Sequence, residues 1–186
     1  MRVNTIYPAV QGEGVNAGIP MVIVRLQGCS IHCPWCDTKE TWSSQGGKEM
    51  TVDEIATEVQ GKADGHRWVM LTGGEPAEQD IKPLVGALRD IGFQVALETS
   101  GTQLVPDCDW VCVSPKHMPP LAEVLATANE VKWVVGKESD IPSEPGPNPC
   151  LQPMSLDRKA TELCLKVVQE RGWRLSVQIH KLLGIS

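Results

Sequence analysis

The run CSIHCPWCDT, Cys29 to Thr38, places three cysteines within eight residues, spaced Cys-x3-Cys-x2-Cys as Cys29, Cys33 and Cys36. The next cysteine is Cys108, far along the chain. A tetrahedral structural zinc takes four protein ligands, so a triplet leaves one position open. An iron–sulfur cluster held by three thiolates likewise keeps one iron free to take a small molecule. Zinc completed by His32 or by a distant ligand is a competing reading. So is a set of packed or bridged thiols, although neighbours this close bridge only with strain. An open coordination position points to chemistry rather than scaffolding.

Elements that could position this loop follow from the hydrophobic pattern. Asn4 to Gly18 is turn-rich and carries Gln11-Gly12-Glu13-Gly14, two glycines around a carboxylate. Such a stretch lets backbone approach a small ligand, and a plain tight turn accounts for it equally well. Met21 to Gln27 is an apolar, β-branched run of strand length that Gly28 ends, just before the cysteines. Arg25 interrupts it and must point either to solvent or into a polar site. Thr51-Val52-Asp53-Glu54 is a capping box that opens a helix through about Gln60.

Arg67 to Thr72 predicts a second strand, ending in Gly73-Gly74-Glu75-Pro76. Asp80 can cap a helix with apolar positions Ile81, Leu84, Val85, Leu88 and Ile91, closed by Gly92. Further strands are predicted at Phe93–Glu98, Asp109–Ser114, Glu130–Val135, Cys150–Gln152 and Trp173–Gln178, with a short helix around Leu121–Thr127. Ser155 is read as the cap of a helix through Arg171, and Gly136 to Pro149 as a surface loop. The segment from Thr41 to Thr51 is brief and leaves helix content after the first strand open.

Strands alternating with helices imply a parallel sheet with right-handed crossovers. A closed eight-stranded barrel takes about 250 residues, so the expectation is an α/β fold of a different kind. It is a partial (open) TIM-like barrel of about six parallel strands with few helices, one domain over residues 1–186. Polar motifs recur after strands at Cys29–Thr38, Gly73–Pro76, Thr99–Thr102, Ser114–Lys116 and Gln152–Ser155. In parallel α/β folds the C-terminal strand ends are where sites assemble. These five loops should therefore share one face.

The composition, 41% hydrophobic and 22% charged, is that of a globular protein. A net charge of −6 and the absence of a Lys/Arg run argue against a nucleic-acid partner. The first residues have no apolar core of a secretory signal, and no run approaches the roughly 18 apolar residues that span a bilayer. No membrane partner is expected. Seven cysteines, an odd number, predict a reducing cytoplasm rather than a disulfide framework. Cys108, Cys112, Cys150 and Cys164 sit mostly in apolar segments and are expected to be buried free thiols.

The triplet, with aromatic Trp35 before its last cysteine, resembles the signature of the radical S-adenosylmethionine (radical SAM) enzymes. Gly73-Gly74-Glu75-Pro76 after the second strand resembles their SAM-amine motif. A narrower resemblance spans almost the whole chain. The strings VQGEG, RLQGC, CPWCDTKETW, LTGGEP, ETSGT, VSPK, LQP and WRLSVQIHKLLGIS look like those of the 7-carboxy-7-deazaguanine synthase family. That family converts 6-carboxy-5,6,7,8-tetrahydropterin to 7-carboxy-7-deazaguanine with loss of ammonia, on the way to the tRNA base queuosine.

The resemblance implies that Cys29, Cys33 and Cys36 hold a 4Fe–4S cluster whose free iron is chelated by SAM. It puts Trp35, Asp37, Gly74, Glu75, Ser100, Ser114, Pro115, Lys116, Gln152, Pro153, Met154 and Ser155 at SAM-binding positions. Val10, Gln11, Gly12, Glu13, Arg25 and Thr72 fall at pterin-binding positions. Thr38 matches a hydroxyl that binds Mg2+, a hard cation that prefers oxygen and keeps positions open for substrate. His180 and the carboxylate of Ser186 would close the pterin pocket. An electron donor such as flavodoxin and a homodimer are implied in the same way. The family's radical takes hydrogen from pterin C6, later returns it, and regenerates SAM. Binding residues and no catalytic triad are therefore expected. The competing classes are a glycyl-radical activase, which needs neither QGEG nor Thr38, and a non-enzymatic zinc module.

Overall fold

The computed structural model describes residues 1–184. In chain order it has β1 (Arg2–Val10), β2 (Pro20–Leu26), β3 (Lys48–Glu49), α1 (Val52–Lys62), β4 (Trp68–Gly73), α2 (Lys82–Asp90), β5 (Gln94–Thr99) and β6 (Trp110–Val113). There follow α3 (Ala122–Thr127), β7 (Glu130–Val135), β8 (Cys150–Pro153), α4 (Arg158–Arg171), β9 (Arg174–Leu175) and α5 (Ile179–Leu183). The strands form one sheet in the order β3-β1-β2-β4-β5-β6-β7-β8-β9, with β3 and β9 at unpaired edges, so the barrel is open. Pairings from β2 through β9 are parallel, and β1 runs antiparallel to β2 and β3. The expected open α/β barrel is the fold observed.

The alternation of a pleated strand explains where the site sits. Val22, Val24, Val69, Leu71, Val95 and Leu97 face outward and pack under α1 and α2, through Ile55, Val59, Leu84, Val85 and Leu88. The residues between them face inward. Near the strand starts these are Met21, Met70 and Ala96, packed with Ile23, Trp68 and Trp110 as an apolar floor. Near the strand ends the same inward rows become Arg25, Thr72, Glu98, Lys132 and Gln152, all lining one cavity. A separate core of Val135, Leu151, Cys164 and Val167 holds α4 against β7 and β8.

Four expectations need correction. The turn-rich reading of Asn4 to Gly18 missed β1, whose register shifts between Val3 and Thr5. That bulge separates its buried residues Val3 and Ile6 by three positions and erases the period of two. The last helix is capped by Asp157, which accepts from the Ala160 amide at 2.9 Å, and not by Ser155, which lies in a left-handed turn at φ 51°. The cap position of α2 is Ile81 rather than Asp80, whose carboxylate still accepts from the Lys82 amide at 3.3 Å, and Ile91 lies beyond the helix end and is exposed. The last strand keeps only Arg174–Leu175, after which the chain turns so that Gln178 is buried. The Thr51–Glu54 capping box forms as expected, and Cys108, Cys112, Cys150 and Cys164 are buried free thiols.

Candidate active site

The loop after β2 is shaped by backbone and one buried amide. The Gly28 amide donates to the Thr41 carbonyl at 2.7 Å, and the Cys29 amide to that of Trp42 at 3.1 Å. The Gln27 side chain, 3% exposed, donates to the carbonyls of Glu40 and Ser43, both at 2.8 Å. These bonds fold the segment back on itself, so Cys29, Cys33 and Cys36 all line the cavity. Gly74 lies against this loop, where a Cβ would overlap the Gly28 carbonyl and the Cys29 side chain. Burial pushes the Cys29 and Cys33 thiols up, more than nearby amides and the Lys116 charge pull them down.

Among the described residues, no three His, Cys, Asp or Glu side chains are grouped as a single metal ion requires. A tetrahedral zinc would need its thiolates about 2.3 Å from one point. A cluster instead spreads three thiolates over three irons, and three thiols along one cavity wall suit it.

The loops after β4 and β5 are joined by a carboxylate. Glu75 is 2% exposed and accepts from the Thr99 hydroxyl at 2.6 Å and from Ser100, at 2.8 Å from its amide and 2.6 Å from its hydroxyl. It also caps the turn that follows, accepting from the Ala77 amide at 3.1 Å. Ser100 is thereby fixed in the cavity wall. On the next loops, the Lys116 ammonium donates to the Ser114 hydroxyl at 2.7 Å. Gln152, Pro153, Met154 and Ser155 complete that side.

The opposite requirement, a wall of fixed charge, is met by β5, β7 and the loop after β1. The Lys132 ammonium donates to Glu13 Oε2 at 2.6 Å and to both oxygens of Glu98, at 2.9 and 2.8 Å. Gln11 Nε2 reaches Glu98 at 3.2 Å, and Gln178 Nε2 reaches Glu13 at 2.8 Å. Burial alone would raise the Glu13 carboxyl, but the charge and hydrogen bond of Lys132, with Gln178, bring it down to about 2. Burial would lower the Lys132 ammonium, yet the two carboxylates hold it well above its ordinary value.

The C-terminal segment straps this wall to the cysteine loop. The Ile179 amide donates to the Gly12 carbonyl at 3.0 Å, and a Cβ on Gly12 would fall 2.5 Å from His180 Nδ1. Lys181 donates to Asp37 at 2.7 Å, overcoming the burial that would otherwise raise its carboxyl.

One cavity of about 960 Å³ thus collects nearly every residue that the family resemblance singles out. Val10, Gln11, Gly12, Glu13, Arg25, Thr72 and His180 line it together with the cysteines, Trp35, Asp37, Thr38, Gly74, Glu75, Ser100, Ser114 and Lys116. Arg25, open between two orientations in the sequence, points inward and donates to the Tyr7 hydroxyl at 3.1 Å. Pro115 is buried beside the cavity and does not line it. Ser186 lies outside the described residues. Sequence reasoning missed Gln27, Glu98, Lys132 and Gln178. The inward phase of their strands was the available signal for Glu98 and Lys132. No helix among the described residues is long and apolar enough to cross a membrane.

Fold and site together define a class: an open parallel barrel with a three-cysteine loop at its C-terminal rim is a radical SAM enzyme. The model of the Radical SAM superfamily matches residues 23–135. The chain is 36% identical to 7-carboxy-7-deazaguanine synthase of Escherichia coli (strain K12), over 99% of this chain and 98% of that protein. It is 38% identical to the synthase of Bacteroides thetaiotaomicron, over 99% and 98%, and 36% identical to that of Synechocystis sp., over 96% and 90%. The crystal structure of QueE from Escherichia coli superposes with a TM-score of 0.83 at 34% identity, covering 96% of this chain and 94% of that one. The chain belongs to the 7-carboxy-7-deazaguanine synthase family. Membership in the superfamily implies a 4Fe–4S cluster and SAM as its cofactors.

Proposed function

We propose that this enzyme converts 6-carboxy-5,6,7,8-tetrahydropterin to 7-carboxy-7-deazaguanine with loss of ammonia, a step toward queuosine. The observation that carries this reading is the single cavity of about 960 Å³, which holds the cysteine loop and the pterin-type positions together. Its volume is that of a site for small molecules rather than for a protein segment.

Cys29, Cys33 and Cys36 would hold the cluster, with SAM beside it against Trp35, Asp37, Gly74, Ser100, Ser114, Lys116 and Gln152–Ser155. Glu75 serves SAM by fixing Ser100 and Thr99. When bound, the cluster and SAM supply a 5′-deoxyadenosyl radical, which is chemistry no side chain here provides. The residues of the chain bind and orient. Gln11, Glu13, Arg25, Thr72 and His180 would grip the pterin so that C6 faces the SAM side, and orientation dominates the barrier. Thr38 has its hydroxyl 3.6 Å from Cys36 Sγ, on the cavity wall. It offers an oxygen ligand for Mg2+ that would anchor the substrate carboxylate.

The single domain, an external one-electron donor, a homodimer and a cytoplasmic location belong to the same proposal. Seven free cysteines suit a reducing compartment. The test is anaerobic incubation of the reconstituted enzyme with the tetrahydropterin, SAM, Mg2+ and a reductant, followed by mass spectrometry. The expected product is 7-carboxy-7-deazaguanine with an equivalent of ammonia. SAM cleavage without that product would overturn the substrate assignment.

A further inference from the structure

The pterin-type positions include Glu13 but nothing that holds it, and the charge that does so comes from β7, on the same inward face. We propose that Lys132 is a positioning residue for the pterin. Its ammonium pins the Glu13 and Glu98 carboxylates side by side, so that together they present one excess negative charge to the N–H-rich edge of the ring. This inference rests on the synthase reading and assigns the binding wall behind it.

Exposure shows which groups meet a ligand. The Lys132 side chain is 3% exposed, whereas those of Glu13 and Glu98 are 19% and 18% exposed. The cation lies beneath and the anions lie at the cavity. Each carboxylate has about four acceptor positions. Glu13 fills two with Lys132 and Gln178, and Glu98 fills three with Lys132 and Gln11. Capacity therefore remains for ligand N–H groups, which a 2-amino-4-oxopyrimidine edge supplies.

Stability alone does not explain the arrangement. A buried ion pair is often no better than hydrophobic packing, and a surplus buried anion is worse. A ligand that donates to it recovers the deficit.

β7 reinforces the wall one pleat lower. Glu130, 2% exposed, accepts from the Val15 amide at 3.1 Å, and a side chain on Gly14 would overlap it. Lys132 and Glu130 thus grip the Gln11–Val15 loop at two points.

The titratable groups facing this wall are Cys112 on β6, Glu130 on β7, Cys150 on β8, His180 on α5 and Asp37 after β2. Burial raises both thiols and the Glu130 carboxyl, so the burden of countering Glu13 and Glu98 falls on Lys132.

The test measures the dissociation constant of the tetrahydropterin for cluster- and SAM-loaded protein between about pH 6 and 9, with iron content as the check on folding. Wild type should bind with a flat profile. Lys132→Met should bind about 10- to 100-fold more weakly, the range for a lost charge-assisted contact. Its affinity should fall further as pH drops, because two unpaired carboxylates come to share a proton. Lys132→Arg should restore a flat profile, since charge and not volume is what matters. Lys132→Met with wild-type affinity and a flat profile would overturn the proposal.

If Lys132→Met does not take up iron, K132M/E98Q decides, because it removes one charge of each sign. A loss of more than about threefold beyond E98Q alone supports the pinning role, and a smaller one overturns it. Failure of wild type to bind the pterin at all would instead sink the synthase reading.

Discussion

The cysteine loop and the β7 wall share one cavity and are held in opposite ways. The loop is shaped by backbone bonds between near neighbours in sequence, such as Gly28 to Thr41 and Cys29 to Trp42. Burial raises its Cys29 and Cys33 thiols, and only Lys116 pulls noticeably against it at Cys33. The wall is held by side-chain charge across long separations, Lys132 to Glu13 over 119 residues and to Glu98 over 34. A site that must accept a metal cofactor needs ligands that can still lose protons to it. One that must orient an organic ring benefits from charges already fixed. The difference suits the tasks proposed for the two sides: electron chemistry at the loop, recognition at the wall.

The comparison breaks first at the loop. Cys33→Ala removes one of the three proposed ligands, so iron uptake should fall well below the expected about four per chain. SAM cleavage should drop to background while the wall and pterin binding remain. Retained SAM turnover would contradict the cluster assignment.

Gly12→Ala attacks the junction of the two sides, since its methyl would meet His180 Nδ1 at 2.5 Å. An overpacked contact costs about 1–3 kcal/mol. Pterin affinity should weaken by about thirtyfold, the middle of that range. Iron content should not change, and an equal loss of both would mean that the sides are not separable.

The smallest effect lies within the wall, where two carboxylates titrate in opposite senses. Glu13, held at about 2, contributes stability that is present above its ordinary 4.5 and is lost as pH falls toward 2. Glu130 is raised by burial. Its contribution is present below 4.5 and is lost as pH climbs through the raised value. Glu130→Gln, neutral throughout, should therefore raise the melting temperature by about 2–4 °C at about pH 8. At about pH 5 it should change little. A pH-independent effect would show that Glu130 is not protonated at its buried site.

Much of the fold was readable because parallel strands between helices are apolar runs of the right length, as at Met21–Gln27 and Glu130–Val135. β1 was not, because its bulge breaks the alternation. The cysteine loop was legible as a candidate cluster site, since its three thiols are local in sequence and all line the cavity. Lys132 and Glu98 were not, because strand phase puts both on one face but does not say whether that face is a polar cavity or solvent. Only the pairing register, which sets β5, β6 and β7 side by side, brings Glu98 to Lys132. Arg25 posed the same ambiguity, and its contact with Tyr7 resolves it.

The central claim is that wall and loop hold pterin C6 against SAM within one cavity. Turnover of pterin deuterated at C6 tests it most directly. Deuterium in the SAM recovered alongside 7-carboxy-7-deazaguanine is the predicted result. Product formed with no label ever reaching SAM would contradict the account.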